Sequence, residues 1–526
     1  MIKRLYPLLG GLFISVTAVA QSSNDALLYS PMQPHGTART QALGGAGIGL
    51  GGDYSSAHSN PAGIAMFKTG EFLISGGVGI ANNTSTYLKN GQLDNVGSRT
   101  NFQVPNIGVI FATNKGNGSS SWNNITFSLG LDRLANYNNK IAIAGLNSKS
   151  SYTDYWVDQL QAGGNAQWEK GYPIDGSLGW QTFVLDRYPA GSNTNLMSLA
   201  SPSRAIGGLT GVQQRGTLQT EGGLNEYSFA VGGNYGDRLY IGASLALPSI
   251  NYKEYFKWSE DDADEKNNTN HFGYFDYNRT LKRTGLGVGA KLGILYKVTE
   301  RFRLGAAFHT PTWYSIHDRY DANMTADIEN GTPDGQNPGV HSYSSGDMTN
   351  GYPVEFDYNY TAPLKAMGGA SYFFGDLKDP QKPQGFLTAD YEYVNQSSGK
   401  FRMSDYKSTE RGLNDNISAI YKAVSNVRVG AEVKFLAMYA VRAGFAYYGN
   451  PYSNDYYNAG TDASRKVYSG GVGLRHRGLY LDLTYSYTQG NDRYRPYVTQ
   501  KAELTPAPAT IDYNRSNIMM TLGFKF

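Results

Sequence analysis

Seven histidines, a glycine fingerprint and an acidic run are the residues of this chain whose types could carry chemistry. Gly47-x-Gly49-x-x-Gly52 has the spacing of a dinucleotide-binding turn, but no strand precedes it and no helical run follows, so the βαβ context that chemistry needs is missing. His35, His58, His271, His309, His317, His341 and His476 fall in no Ser/His or HExxH arrangement, and the sequence is read as that of a non-enzyme with no catalytic residues. Haem capture by His35 or His58 is weighed against the commoner role of a lone histidine as a solvated polar group. Glu260-Asp261-Asp262-Ala263-Asp264-Glu265 lacks EF-hand spacing and reads as a solvated loop. With no cysteine in the chain, thiol catalysis, disulfides and thiolate metal sites are excluded together. No metal and no cofactor is expected.

The elements around these residues point to a membrane wall. Lys3 and Arg4, an apolar run from Leu8 to Val19, and Ala18-Val19-Ala20 form a signal peptide over residues 1–20, with Gln21 as the mature N-terminus. Beyond it no stretch offers the ~18 apolar residues of a spanning helix. The net charge of +3 arises from 46 basic and 43 acidic residues spread along the chain, which speaks against nucleic acid as a partner. Period-two alternation is the dominant pattern instead. Leu286, Val288, Ala290, Leu292, Ile294 and Tyr296 oppose Gly287, Gly289, Lys291 and Gly293, and Val427 to Phe435 and Leu479 to Tyr487 behave alike. One face is apolar and the other polar or glycine, with 41 tyrosines gathering towards strand ends, as aromatic girdles do.

We read strands near 72–82, 104–114, 122–138, 226–236, 238–258, 271–298, 301–326, 352–375, 385–403, 421–436, 438–449, 467–476, 478–497 and 513–526. Fourteen is an even number, and very short links alternate with long ones at 139–225, 327–351 and 404–420, so the fold class is all-β, a transmembrane antiparallel barrel over 71–526. Charges in the non-apolar register, among them Arg303, Arg428 and Arg442, are expected to face the lumen. Phe524 and Phe526 close the last strand on its apolar face and resemble the terminal signal that the barrel-assembly machinery reads. The weakest link is Leu436-Ala437-Met438, apolar where a polar turn is expected.

Residues 21–70 differ, having no sustained alternation but containing prolines, the Gly44–Gly52 run, and apolar Leu27, Ile48, Leu50, Ile64 and Phe67. A plug filling the lumen would use such a segment. In the insertion 139–225, Trp156, Trp168, Trp180 and Phe183 either collect apolar ligand at the surface or build the loop's own core, and the second reading is favoured because ~85 structureless residues would be unusual.

Ala42-Leu43-Gly44-Gly45-Ala46-Gly47, then Asn60-Pro61-Ala62-Gly63 with Met66-Phe67 behind it, resemble the N-terminal hatch of the FadL family of outer-membrane transporters, and Arg428-Val429-Gly430 through Val441–Phe445 is similar to the family's late strands. The resemblance implies a fourteen-stranded barrel in the bacterial outer membrane, a hatch at 21–70 carrying Asn60, Pro61 and Ala62, and passive diffusion of hydrophobic molecules such as long-chain fatty acids or aromatic hydrocarbons. Its implied partners are the hydrophobic ligand, outer-membrane lipid and the assembly machinery, with a monomer expected. The family's type member carries its long helical loop after the fifth strand, whereas here the long insertion follows the third. The alternative is an adhesin or structural barrel whose long loops bind partners.

Overall fold

The computed structural model describes residues 25–526 except 89–94, 115–120, 163–173, 190–191, 193–194, 205–207, 265–269, 334, 380, 405 and 454–461. The leader 1–20 and Trp168 lie outside the described residues.

Alternation closes into a single antiparallel barrel. Its wall strands are β1 (Glu71–Thr86), β2 (Asn95–Gln103 continued by Asn106–Asn114), β3 (Trp122–Asn136 continued by Asn139–Asn147), β4 (Val212–Tyr235), β5 (Leu239–Asp262), β6 (Tyr274–Lys297) and β7 (Phe302–His309 continued by Thr312–Ile328). The wall goes on with β8 (Val354–Ala362 continued by Lys365–Gly375), β9 (Gln384–Asn395), β10 (Ala423–Phe435), β11 (Tyr439–Tyr448), β12 (Arg465–His476), β13 (Leu479–Tyr494) and β14 (Ala509–Lys525). Each pairs with its neighbour in sequence, and β1 closes the ring on β14 from Glu71 opposite Lys525 to Thr86 opposite Thr510. The fourteen-strand count read from the sequence therefore holds.

Three strands are interrupted where proline removes a ladder N–H, at Pro105 in β2, Pro311 in β7 and Pro363 in β8. Several boundaries also differ from the sequence reading. β2 begins at Asn95 rather than 104, β3 runs on to Asn147, β4 starts at Val212 rather than 226, and a helix Lys407–Ile420 occupies the 404–420 link. Asn95–Gln103 and Val212–Leu224 carry polar side chains towards both faces, so the period-two signal vanishes there although the ladder continues. What remains irregular of the 139–225 insertion is thus 148–211, which contains helices Tyr152–Ala162 and Ile174–Gln181.

Outward positions such as Leu286, Val441, Leu483 and Ile518 are exposed and apolar, while inward positions such as Glu226, Glu432, Arg442 and Asp482 are buried. No helix of the described residues is long and apolar enough to cross a membrane. At one end the strands join by tight turns, including Leu436-Ala437, where both residues take positive φ of 52° and 56°, a conformation usually left to Asn or Gly. The turn thus forms with apolar residues. Long connections gather at the other end.

Candidate functional site

Residues 25–67 lie inside the ring. Short helices Ala26–Tyr29, Ala38–Ala42 and Ser56–Ser59 and a 3₁₀ segment Pro61–Met66 are linked by glycine turns, and nearly all their residues are buried. The wall meets this segment with glycines. A Cβ at Gly305 would overlap the Ile48 carbonyl, at Gly444 the Gly44 amide, at Gly242 the Pro61 carbonyl, and at Gly293 the Asn60 side chain. Backbone thus rests on backbone, which is why glycine occupies inward register positions in many strands.

Hydrogen bonds fix the segment around the ring. The Asn60 side chain accepts from Ala62 N at 3.2 Å and donates to Ile48 O at 2.8 Å and to Ile294 O of β6 at 3.2 Å. Pro61 opens the 3₁₀ turn, where its missing N–H costs nothing. Ala62 is fully buried, in contact with Leu295 and Tyr240. Ala38 N donates to Thr521 Oγ1 at 2.8 Å, and Thr484 Oγ1 donates to Ala38 O at 2.6 Å. Around Gly47 the glycine loop does cradle an anion, but it is the wall's own: Gly47 N and Ile48 N donate to Asp390 Oδ2 at 2.6 and 3.0 Å.

Charge adds further ties. Arg39 Nε donates to Glu432 at 3.0 Å, and Glu432 also accepts from Arg442 at 2.5 Å, which in turn reaches Asp482 at 2.6 Å. Burial pulls the Arg39 guanidinium down, and Glu432 with Asp53 outweigh it, holding the group above the ordinary arginine value. Arg303 donates to Leu50 O at 3.0 Å and stacks on Phe373 at 4.1 Å. Arg428 pairs with Glu392 at 3.1 Å beside Gly45. His58 bonds Glu226 at 2.9 Å, and His309 meets Ser59 O at 2.9 Å. Glu226, Asp390 and Thr521 are contacts the sequence reading did not single out, because their partners lie 168 to 483 residues away.

Above this segment the lumen is packed with aromatic rings. Tyr29 bonds the Tyr358 hydroxyl at 2.9 Å, and Arg283, fully buried, pairs with Asp318 at 2.8 Å and Asp25 at 3.1 Å among Tyr29, Tyr252 and Tyr358. The insertion caps the same cluster. Trp156 is 0 % exposed and meets Tyr277 at 5.1 Å and Tyr152 at 5.3 Å, while Trp180 and Phe183 are half-buried against Arg187 and His341. The insertion is latched at the helix Tyr152–Ala162, where Tyr152 N donates to Glu260 at 2.8 Å. Burial pushes the Asp154 carboxyl up against its bonds to Ser151 N at 2.9 Å and Ser201 at 2.8 Å. The tryptophans described are packing residues, and the loop builds a core continuous with the lumen.

Between segment and wall lies a cavity of about 90 Å³ lined by His58, Glu226, Lys291, His309, Lys365 and Glu392 among others. Charged side chains of the hatch-facing positions share its lining with apolar ones such as Leu134, Leu224 and Met367, and it is well short of the ~300 Å³ or more of a drug-sized site. A hydrophobic molecule can pass only after something moves.

The ladder of the wall has a break. The β2–β3 ladder stops at Arg133 N donating to Pro105 O at 2.7 Å, and among the described residues no ladder joins Asn95–Gln103 to β3. Beyond that point β3 leans over the inner face of β1, with Asn83 Nδ2 donating to Lys140 O and Ser85 Oγ to Ala142 O, both at 2.6 Å. Here the Gly97 backbone packs against the Lys140 carbonyl without a ladder, and Asn136 Nδ2 reaches Asn101 Oδ1 at 3.1 Å and Gln103 Oε1 at 3.2 Å. Phe524 and Phe526 sit far from these features, exposed and stacked at 6.3 Å on the outer face by the short turns.

Asn60→Ala with Pro61→Gly removes the clasp to Ile48 O and Ile294 O and frees φ at the bend. The barrel is expected to assemble with wild-type heat-modifiable mobility while limited proteolysis of residues 45–65 accelerates. Unchanged protection would show that the clasp does not set the segment's position.

No family model matches the chain, and no curated protein matches it. Solved structures do. A Pseudomonas aeruginosa FadL homologue is similar over 94 % of this chain and 99 % of its own, with a TM-score of 0.55 and 12 % identity. A TodX monoaromatic hydrocarbon channel, as a deltaS2 mutant, is similar over 93 % of this chain and 98 % of its own, with a TM-score of 0.51 and 13 % identity. A fourteen-stranded wall, an N-terminal segment within it and full-length superposition together give the chain the barrel fold of the FadL homologue.

Proposed function

We propose that the chain is a bacterial outer-membrane channel for passive movement of hydrophobic small molecules, exported by its leader, with residues 21–70 as its hatch and the 148–211 insertion on the external side. The observation that carries this reading is the pairing of a clasped segment inside the lumen with a break in the wall's ladder beside it. An anchor for external loops needs neither, since a filled and unbroken barrel would serve it. The exposed apolar band suits lipid contact, and a plug keeps the lumen from leaking. The relatives of known fold include one named as a monoaromatic hydrocarbon channel, which supports the same substrate range.

In this reading ligand arrives from the long-loop end, the aromatic cluster above the hatch yields, and the molecule leaves sideways where the β2–β3 ladder breaks, into lipid. No nucleotide or ion couples to it. Since the chain has no cysteine, the exit can be tested cleanly: Asn101→Cys with Asn136→Cys, bridged by a short bis-methanethiosulfonate linker held through two reducible disulfides, ties the two strands together. Uptake of a hydrophobic fluorescent tracer is expected to fall roughly tenfold on bridging, in keeping with the loss of a conformational step, and to return on reduction. Full uptake through the bridged barrel would rule out the lateral exit, and no uptake by the uncrosslinked protein of any hydrophobic compound would favour the adhesive reading.

A further inference from the structure

The outward side chains of the wall change character where the apolar band stops at the long-connection end. In β6 the exposed apolar residues run from Tyr296 to Leu286, and the exposed ring of Trp313 on β7, opposite Val288, marks the same edge. That length of strand, tilted by ~35–45°, rises ~25 Å, the height of a lipid-facing band. Beyond Leu286 and Thr284 the next outward residue of β6 is Lys282, ~10 Å above the edge. Lys282 stands directly opposite Lys253 of β5 on one side and Arg319 of β7 on the other. Lys257 lies on the same face of β5, with Tyr255 between it and Lys253.

Like charges opposite one another across a ladder are unfavourable, so a row of three needs something to offset it. The carboxylates at its ends are otherwise engaged. Glu221, opposite Lys253, pairs with Arg99 at 2.5 Å, and Glu355, opposite Arg319, lies 3.9 Å from His317. Higher on this face Asp261 pairs with Arg215, and Arg319 meets Asp321 at 3.7 Å with both groups half-exposed. Among the described residues, Lys253, Lys257 and Lys282 have no carboxylate at ion-pair distance. Across the ring the same level is neutral. In β14 the outward residue equally far beyond the exposed Ile518 is Asn514, and it faces Asn82 of β1 and Gln489 of β13. Lys466 of β12, opposite Gln489 and Tyr447, is a lone cation there.

Cations ~10 Å above the hydrocarbon edge overlook the head-group layer of a bilayer, and lysine stems bend back towards it. Neighbouring strands are ~4.8 Å apart, so one phosphate between two of them can touch both cations. A phosphomonoester brings ~1.5–2 negative charges near neutral pH, more than a phosphodiester, and suits several point charges side by side. Phosphate on a lipid has a further advantage over free phosphate, since its tails pack on Leu286, Val288 and Trp313 just below.

We propose that Lys253, Lys282 and Arg319, with Lys257 above them, form an outward-facing site for the phosphate head of an anionic lipid in the leaflet at the long-connection end, a phosphomonoester being preferred. The site lies outside the wall and serves no step of passage through it. It rests on the barrel standing in a membrane, as the transport reading does, and on nothing else in that reading. The bound lipid ties β5, β6 and β7 together at the height where their like charges would push them apart.

The test uses the full chain in nanodiscs of phosphatidylcholine doped with equal amounts of phosphatidic acid and phosphatidylglycerol. Native mass spectrometry of the released barrel reads the lipids that stay bound. Phosphatidic acid is expected to be retained roughly tenfold over phosphatidylcholine, with phosphatidylglycerol between them, as several cations act on one head group. Lys253→Gln, Lys282→Gln and Arg319→Gln together are expected to erase the preference, and Lys466→Gln to leave it. The wild-type contrast among the three lipids stands even if the triple variant fails to assemble. Equal retention of the three by the wild type, or a preference that survives the triple substitution, overturns the proposal. So does inorganic phosphate binding in maltoside micelles as tightly as dihexanoyl phosphatidic acid, because the tails would then contribute nothing. A barrel that does not enter nanodiscs sinks this site and the transport reading together. Selective retention without tracer uptake sinks transport alone, and tracer uptake with unselective retention sinks this site alone.

Discussion

A Gly305→Val, Gly444→Val barrel is expected to assemble with its wall intact and to leak. Added Cβ atoms at these positions meet the Ile48 carbonyl and the Gly44 amide, which belong to the backbone of the segment inside and cannot swing away as the tip of a side chain would. The wall does not oppose the change, because both glycines sit in regular ladders, Gly305 between Leu295 and Gly369 and Gly444 between Gly430 and Ser469, where valine is a favoured residue. Overpacking of this kind costs ~1–3 kcal/mol at each site and falls wholly on the docked hatch. Once it leaves, a lumen of fourteen strands approaches the size at which barrels hold water, so ionic conductance in planar bilayers should rise roughly tenfold or more above the wild type. A silent membrane together with native mobility of the variant on unheated gels would show that the hatch tolerates displacement, or that the insertion alone seals the lumen.

Glu432→Gln is the second substitution from which a large effect is expected. The carboxylate is fully buried and bridges Arg39 at 3.0 Å, Arg442 at 2.5 Å and Lys434 at 3.4 Å. Losing one member of a buried charge cluster leaves its partners uncompensated and costs ~3–5 kcal/mol, more than the loss of a surface pair. Because Arg39 belongs to the hatch and Arg442 to the wall, the loss should appear as both a lower guanidinium midpoint of the folded barrel in vesicles and faster proteolysis near Arg39. The double change Arg39→Met, Glu432→Met removes a cation with the anion and should lose less than Glu432→Gln alone. Equal losses in single and double variants would mean that the cluster contributes by packing rather than by charge.

The barrel was legible because alternation of apolar and polar residues is a local signal, repeated in β5, β6, β10 and β13 over lengths that no loop would keep. It failed at Asn95–Gln103 and Val212–Leu224, where both faces are polar because one side looks into a lumen and the other lies at or beyond the edge of the apolar band. Residues Asn60 to Ala62 could be picked out from the motif, and the amide of Asn60 does hold its bend against β6. What they hold on to could not, since Ile294 lies 234 residues further on. The GxGxxG spacing of Gly47 to Gly52 lacks the βαβ context of a dinucleotide site, and no spacing reveals that its amides instead meet Asp390. Burial of the tryptophans in the insertion could be expected from the length of the loop alone, since no periodicity there marks which aromatic is packed.

Ala38 is held by Thr484 and Thr521, the latter 483 residues later in the chain. An earlier-made part of the protein therefore docks against parts made much later. Contacts of such separation form late, since the loop they close carries its entropic cost until the intervening strands are in register. Through that interval residues 25–67 must wait with Leu43, Ile48, Leu50, Ile64 and Phe67 uncovered, in need of a chaperone that keeps them from premature association. Their final seating also works as proofreading: a wall that has slipped by one residue turns its glycines outward and side chains inward, and offers the waiting segment no seat.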